Sequence, residues 1–139
     1  MTPSSRTTCV PLDFGHWAAH KLEGLTRNRL RHGEAVAIGI ALDTLYSHAA
    51  GMLPAAGVER VLGILGRLGL PRWDEALDLR DPAGRPVVLD GLAEFREHLG
   101  GELTVTLLAA IGRGVEVHEM REPLVVGALD ELRRRHGRP

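Results

Sequence analysis

Two short stretches near the start of the chain, DFGHWAAH at positions 13–20 and HGEAVAIG at positions 32–39, decide how the rest is organised. His16 and His20 are four residues apart, so a helix would place both imidazoles on one face, one turn apart. His32 follows a polar connection and stands at the start of a second helical stretch. Histidine is the commonest metal ligand in proteins. The pattern therefore predicts a metal or phosphate site where two helices meet.

The first of these helices is predicted to run from about residue 14 to residue 25. Asp13 would be its N-cap, because a short carboxylate can accept hydrogen bonds from the first free backbone N–H groups. Gly15 is unexpected in a first turn, since glycine costs roughly 1 kcal/mol against alanine in a helix. Its presence indicates that something packs closely against the backbone there. A ligand and a second helix would each explain it.

The remaining chain is typical of packed helices around one small hairpin. Residues 32–50 are apolar on most sides in their first half, which predicts a central, buried helix. Alternating apolar and polar residues at 102–108 predict a strand, and residues 115–118 would pair with it across a turn at 112–114. We therefore expect a mainly α domain with one short β-hairpin. The other predicted segments are helices at 54–68, 90–98 and 123–135 and a helical turn at 72–79.

Composition restricts the class of protein. The chain has 139 residues, with 17 basic and 18 acidic side chains and a formal net charge of -1. We therefore expect neither nucleic-acid binding nor a basic membrane patch. The longest apolar run, at 35–42, is far shorter than the ~20 residues that a membrane span needs. A single cysteine and no visible signal peptide favour a reducing, cytoplasmic compartment.

Taken without any further knowledge, the three histidines leave two interpretations open. His16, His20 and His32 could together bind zinc. Alternatively, the first two are ordinary surface or packed histidines of one helix and the third is unrelated to them. A bare His-x-x-x-His pattern is short and common, so it does not decide between these interpretations.

The two opening stretches resemble the C-terminal domain of 3-dehydroquinate synthase and of related sugar phosphate cyclases. That family shows Asn-x-Gly-His-x-x-Gly-His, then a short gap, then His-Gly-Glu-Ala-Val-Ala-x-Gly. A third stretch, FREHLGGELT at 95–104, resembles the sedoheptulose 7-phosphate cyclase-like branch, where dehydroquinate synthases proper tend to have Asp-Lys-Lys. The resemblance covers roughly residues 11–118.

The resemblance implies a specific division of labour among the histidines. His16 and His32 would be ligands of zinc, or of another divalent metal such as cobalt, while His20 would be catalytic and face the substrate. The family's third metal ligand is a glutamate on a separate nucleotide-binding domain. Glu34 could substitute for it, although a glutamate at a helix start more often caps that helix or pairs with arginine.

The resemblance also implies contacts to a phosphorylated substrate. Asp13 stands where most of the family has asparagine, and an ionised aspartate can only accept hydrogen bonds. We expect this catalytic position to discriminate between substrates. Arg96 and His98 lie in the stretch that reaches the substrate phosphate, and Arg31 is a further candidate for that contact.

The activity implied is that of a carbon–oxygen lyase dependent on zinc and NAD. NAD transiently oxidises a hydroxyl group, phosphate leaves, the carbonyl is reduced again, and the opened seven-carbon sugar closes by an intramolecular aldol reaction. We expect residues 1–10 to be a disordered segment and residues 11–139 to be the metal- and substrate-binding domain, with the N-terminal NAD-binding domain absent. No Gly-x-Gly-x-x-Gly loop follows a predicted strand.

The expected partners follow from the division of the site between this chain and an NAD-binding domain. They are a sugar phosphate substrate and an NAD-binding domain or partner chain, with a homodimer as another arrangement if an apolar face is left exposed. The alternative function is non-catalytic. The chain would then be a truncated remnant, or a stand-alone helical module with weak metal binding.

Overall fold

The computed structural model describes residues 14–137, and its backbone forms five α-helices and one hairpin. Two short 3₁₀ turns, Glu75–Asp78 and Val87–Leu89, connect the third and fourth helices. The predicted mainly α architecture with one hairpin is confirmed. The main elements are α1 His16–Leu25, α2 His32–Ala49, α3 Ala55–Arg67, α4 Asp90–His98, β1 Val105–Ala110, β2 Arg113–Val117 and α5 Glu122–His136.

Helix α2 is the centre of the domain, as its apolar sequence predicted. Helices α1, α3 and α5 and strand β1 all pack against it. Its buried side chains include many small residues, which allow neighbouring backbones to approach closely. Three polar residues, Asp43, Thr44 and Ser47, are also buried within it. No helix of residues 14–137 is both long and apolar enough to cross a membrane.

Helix α1 begins at His16, and its N-cap is Gly15 rather than Asp13. The predicted cap was wrong because Gly15 has φ +82°, a left-handed conformation that cannot continue a helix toward the N-terminus. Asp13 itself lies outside the described residues. The glycine is therefore the point at which the chain turns into the helix.

The hairpin is antiparallel, with Val105 opposite Val117 and Leu107 opposite Val115. Its first strand begins later than predicted, at Val105, after two glycines with positive φ have ended the preceding helical segment. The turn is also tighter than predicted, because β2 already begins at Arg113. The strand pairing expected from the alternating pattern is otherwise present.

Two neighbouring residues of α2 accept hydrogen bonds from the C-terminal third of the chain. Ser47 Oγ accepts a hydrogen bond from the Leu108 backbone N–H at 3.1 Å and donates to the Asp43 carbonyl oxygen at 2.7 Å. Tyr46 Oη accepts from the Arg121 backbone N–H at 2.9 Å, where α5 begins. The hairpin and the last helix are thus held by hydroxyl groups of one helix turn.

Candidate metal and substrate site

Four imidazoles lie close together where α1, α2 and α4 meet, and we call this group the histidine corner. The ring centroid of His16 is 6.0 Å from that of His32 and 6.2 Å from that of His20. The His20 ring is in turn 5.8 Å from that of His98. The structure therefore brings together four of the residues that the sequence singled out. They come from three different helices.

The position of His16 depends on a close approach of two glycines. A Cβ atom added to Gly39 on α2 would overlap the Gly15 carbonyl oxygen, and one added to Gly15 would lie 2.7 Å from the Ile40 backbone nitrogen. Neither position has room for a side chain. A second helix therefore explains the glycine at the start of α1, which the sequence had left open between a helix and a ligand.

A buried carboxyl group completes this contact. Asp43, one turn after Gly39, is fully buried, and its Oδ1 accepts from Trp17 Nε1 at 2.8 Å. The Gly15 backbone N–H donates to the same carboxyl group. Burial raises the pKa of Asp43 to about 7, although both hydrogen bonds act in the opposite direction. No role was predicted for this residue from the sequence, where its only signal was an acidic side chain inside an apolar helix.

The His32 ring forms a hydrogen bond with a second carboxylate, which was not predicted from the sequence. Its Nδ1 lies 3.0 Å from Glu23 Oε2 on α1. Because an ionised carboxylate can only accept, Nδ1 is the donor, and in the neutral form of the ring Nε2 then keeps a free lone pair. This is the arrangement by which outer carboxylates orient metal-binding histidines. Glu23 is seven residues after His16, two helical turns along α1.

The two candidate ligands each have a ring nitrogen that could bind a metal ion. His16 Nδ1 is buried and has no hydrogen-bond partner in the described part of the chain, which is unusual for a buried polar atom. His32 offers its Nε2, as its other nitrogen is bonded to Glu23. Among the described residues, each ring therefore keeps one nitrogen that could bind a metal ion, and imidazole nitrogen is a natural zinc ligand.

A complete ligand set is not present within residues 14–137. No group of three or more His, Cys, Asp or Glu side chains in that range is arranged to hold a metal. Glu34, considered as a substitute ligand, instead accepts from the Arg31 backbone N–H at 2.9 Å and caps α2. A third ligand would therefore have to come from outside the described residues.

The predicted phosphate contacts are divided between two places. His98 belongs to the histidine corner, where its ring also stacks near that of Phe95. Arg96 instead lines a cavity between α4 and the hairpin, together with Arg85, Glu102 and His118, and we call this the hairpin cavity. Arg31 is exposed directly before His32.

An apolar hollow of about 350 Å³ opens beside the two candidate ligands. Both rings stand at its edge, and its walls come from the segment before α1, from α2 and from the region around the end of α3. Such a surface next to a polar site is typical of ligand pockets and of contacts between domains. Its apolar lining residues are Phe14, Val36, Ala37, Ile40, Leu65 and Leu70.

Sequence comparisons place this geometry in a known context. Residues 6–84, more than half of the chain, match the family model described as 3-dehydroquinate synthase C-terminal. The chain is 37% identical over 127 residues to a 3-dehydroquinate synthase from Rhodopseudomonas palustris, covering 83% of this chain and 31% of that protein. It is 30% identical over 122 residues to a 2-epi-5-epi-valiolone synthase from Actinomyces, covering 88% of this chain and 30% of that protein.

Comparison with solved structures gives the same result. The fold matches ValA, a 2-epi-5-epi-valiolone synthase from Streptomyces hygroscopicus whose structure has NAD⁺ and Zn²⁺ bound. The TM-score is 0.78 at 31% sequence identity, over 88% of this chain and 32% of ValA. The chain spans about a third of the length of the curated relatives that it matches.

Proposed function

The chain belongs to the 3-dehydroquinate synthase C-terminal family, and we propose that it supplies the histidine half of the metal and substrate site of a sugar phosphate cyclase. The other half of the site would lie on a nucleotide-binding domain or partner chain. This division agrees with the share of the relatives' length that the chain covers, about a third.

One observation carries the proposal. His16 and His32 come from different helices, yet their ring centroids are 6.0 Å apart, and residues 14–137 leave one nitrogen of each ring available. Two imidazoles at that separation can bind one ion between them. Two protein ligands make an open site, because catalytic zinc normally has three protein ligands and an open position.

The chemistry of the site follows from what each group can do. When bound, a divalent metal would act as a Lewis acid on a substrate hydroxyl group. His16 and His32 would hold it, and Glu23 would keep His32 in the tautomer that presents Nε2. His20, whose ring centroid is 6.2 Å from that of His16, is placed to exchange a proton with a substrate bound there.

The substrate would extend from the metal toward α4 and the start of α2. His98 and Arg31 stand on these two sides of the histidine corner, and both are suited to a phosphate group. We retain Asp13 as a position that discriminates between substrates, because its carboxylate replaces an amide. Arg96 is the least direct candidate, since it lines the hairpin cavity.

We propose that the apolar hollow beside the two ligands receives the nucleotide-binding half of the enzyme. That half would bring NAD and the missing third ligand to the open side of the site. The substrate would be a seven-carbon sugar phosphate. We favour a sedoheptulose 7-phosphate cyclase type because of the stretch at 95–104, and the valiolone synthases among the relatives agree with it.

A non-catalytic module is the second candidate. The observation that favours it is the incomplete ligand set within residues 14–137. Such a module would retain the fold and bind metal only weakly, because two imidazoles alone cannot hold zinc tightly.

The deciding experiment measures Zn²⁺ stoichiometry and affinity for the chain alone and after addition of a nucleotide-binding domain from a relative. The proposal predicts weak binding by the chain alone, tight one-to-one binding in the mixture, and loss of binding in both His16→Ala and His32→Ala. His118→Ala is the matched control, because this exposed hairpin histidine bonds the Leu103 carbonyl oxygen away from the corner.

Two outcomes would count against the proposal. Zinc affinity that survives both substitutions would place the metal elsewhere. Zinc affinity and cyclase activity that stay unchanged when the nucleotide-binding domain is added would favour the non-catalytic module.

A further inference from the structure

We infer that Asp43 and Trp17 form a buried latch that fixes the direction of His16, so that Asp43 is a positioning residue for the metal site. The latch is the hydrogen bond from Trp17 Nε1 to Asp43 Oδ1 together with the bond from the Gly15 N–H to the same carboxyl group. Within residues 14–137, neither His16 Nδ1 nor Asp43 Oδ2 has a hydrogen-bond partner, so the carboxyl group does not bond that ring nitrogen through this oxygen. It acts instead through the residues on either side of His16. The functional part of this inference rests on the proposed metal site.

The turn at Gly15 lacks a side-chain cap of its own. A helix begins with free N–H groups, and the N-cap side chain usually satisfies one of them. Gly15 has no side chain, so it cannot form a cap hydrogen bond of the usual kind. A carboxyl group from another helix instead accepts the Gly15 N–H. The start of α1 is therefore capped from α2 rather than from its own sequence.

Burying the Asp43 carboxyl group has an energetic cost. A carboxyl group with no exposed surface is unfavourable unless it is well bonded, and its other oxygen, Oδ2, has no hydrogen-bond partner in the described residues. An apolar residue of similar size would avoid that cost in a helix that is otherwise built for burial. The presence of Asp43 at this position is explained if the two N–H donors at the start of α1 need a fixed acceptor.

The latch acts on both sides of His16. The donors that Asp43 fixes belong to the residues immediately before and after His16. The glycine contact with α2 holds the backbone of the turn at one point, and Trp17 holds the first turn of α1 at another. With both neighbours fixed, the His16 backbone cannot rotate about the helix axis. His32 begins α2, which also carries Asp43, so the latch sets the separation of the two ligand rings.

The test compares three substitutions with a matched control. Asp43→Leu removes the acceptor, Asp43→Asn keeps an oxygen for both donors, and Trp17→Phe removes one donor while keeping a buried aromatic ring. Thr44→Val is the control, because this neighbouring hydroxyl is equally buried and has no hydrogen-bond partner within residues 14–137. Each variant is measured by amide and indole hydrogen exchange, by nuclear Overhauser contacts between the His16 and His32 rings, and by Zn²⁺ affinity.

We expect Asp43→Leu to speed exchange at the Gly15 N–H, to weaken the ring contacts and to lower Zn²⁺ affinity about 10-fold, a loss typical of outer-shell partners. Asp43→Asn should stay within about 3-fold of the unmodified chain, and Thr44→Val should match it. Trp17→Phe should give effects on exchange, ring contacts and Zn²⁺ affinity between those of Asp43→Leu and Asp43→Asn. This variant keeps the test decisive if Asp43→Leu does not fold.

The exchange and ring-contact measurements need no metal, so they separate this inference from the proposed function. If the ring contacts weaken as expected but no variant or unmodified chain binds zinc, the latch stands and the metal site fails. If folded Asp43→Leu, or Trp17→Phe where Asp43→Leu does not fold, keeps the ring contacts and the exchange rates of the unmodified chain, the latch is wrong.

Discussion

The histidine corner and the hairpin cavity lie along the same helix, α4, yet they are built in opposite ways. In the corner, His16 is placed by backbone contact between α1 and α2 and by a buried carboxyl group. In the hairpin cavity, Arg85 pairs with Asp90 at 2.6 Å and with Glu122 at 2.8 Å, all on partly exposed side chains. Polar residues that lie together on the surface of a fold do not by themselves form a site of defined geometry.

The difference has an energetic basis. Exposed ion pairs contribute little and tolerate several geometries, because water competes with each partner. A backbone contact without side chains has one geometry only, and a buried hydrogen-bonded carboxyl group has few. We therefore expect large losses of stability or metal affinity from substitutions at the residues that position His16 and His32. Substitutions in the hairpin cavity should have small effects.

The largest effect should come from the glycine contact. Gly39→Ala places a methyl group against the Gly15 carbonyl oxygen and should lower the free energy of unfolding by about 3 kcal/mol. Urea denaturation gives this value directly. Gly127→Ala on α5 is the control, since nothing lies within 4 Å of the added methyl group, and it should stabilise by about 0.5–1 kcal/mol.

If Gly39→Ala were as stable as the unmodified chain, the close approach of the two helices could not be what fixes the corner. The comparison with the hairpin cavity would then lose its main support.

The pH dependence of stability should reveal Asp43. Its pKa is about 7 in the folded chain against an ordinary value of 3.8 for an aspartate, so the folded state binds the proton more tightly than the unfolded state. The stabilisation from the protonated carboxyl group is therefore complete at low pH and is lost as pH rises through about 7. Between pH 5 and 8 the unmodified chain should lose roughly 2 kcal/mol relative to Asp43→Asn.

Urea denaturation of both proteins across that range measures the difference. A constant difference in unfolding free energy, or one that moves in favour of the unmodified chain as pH rises, would mean that Asp43 is ionised throughout.

The outer carboxylate of His32 should affect metal binding more than stability. Glu23→Ala removes the acceptor for His32 Nδ1 and should weaken Zn²⁺ binding about 10-fold, while unfolding changes by less than about 1 kcal/mol. Glu94→Ala is the control, because this exposed carboxylate on α4 pairs with Lys21 at 2.7 Å. Equal zinc affinity in the two variants would remove Glu23 from the site.

The smallest effect separates the two candidate phosphate contacts on α4. His98→Ala should weaken binding of a sugar phosphate by roughly 3-fold, whereas Arg96→Ala should change it little, because an exposed cation outside the corner gains almost nothing. Equilibrium titration with sedoheptulose 7-phosphate in the presence of the nucleotide-binding domain measures both. A larger loss for Arg96→Ala would extend the substrate site into the hairpin cavity.

The sequence predicted what depends on local spacing. The separation of His16 and His20, the buried character of α2 and the alternating pattern of the hairpin all have a period that sequence shows directly. The cap of α1 was predicted wrongly, since the left-handed turn at Gly15 is set by its contact with α2. Local preference favoured Asp13, and tertiary packing decided otherwise.

The two supporting carboxylates could not be predicted for a related reason. Asp43 is 26 residues from Trp17, and Glu23 is nine residues from His32. Either pair becomes visible only when the angle between α1 and α2 is known. An acidic residue in an apolar helix was the one available signal, and sequence alone could not distinguish a buried carboxyl group from one that faces solvent.

The hydroxyl groups of Tyr46 and Ser47 have a consequence for when the domain can form during synthesis. Their partners at the start of α5 and in β1 lie 75 and 61 residues further along the chain. Until the ribosome has released those segments, the middle of α2 has neither its polar partners nor the apolar cover of the hairpin and last helix. The domain should therefore complete its fold late, after most of the chain has emerged, and a chaperone would meet α2 exposed until then.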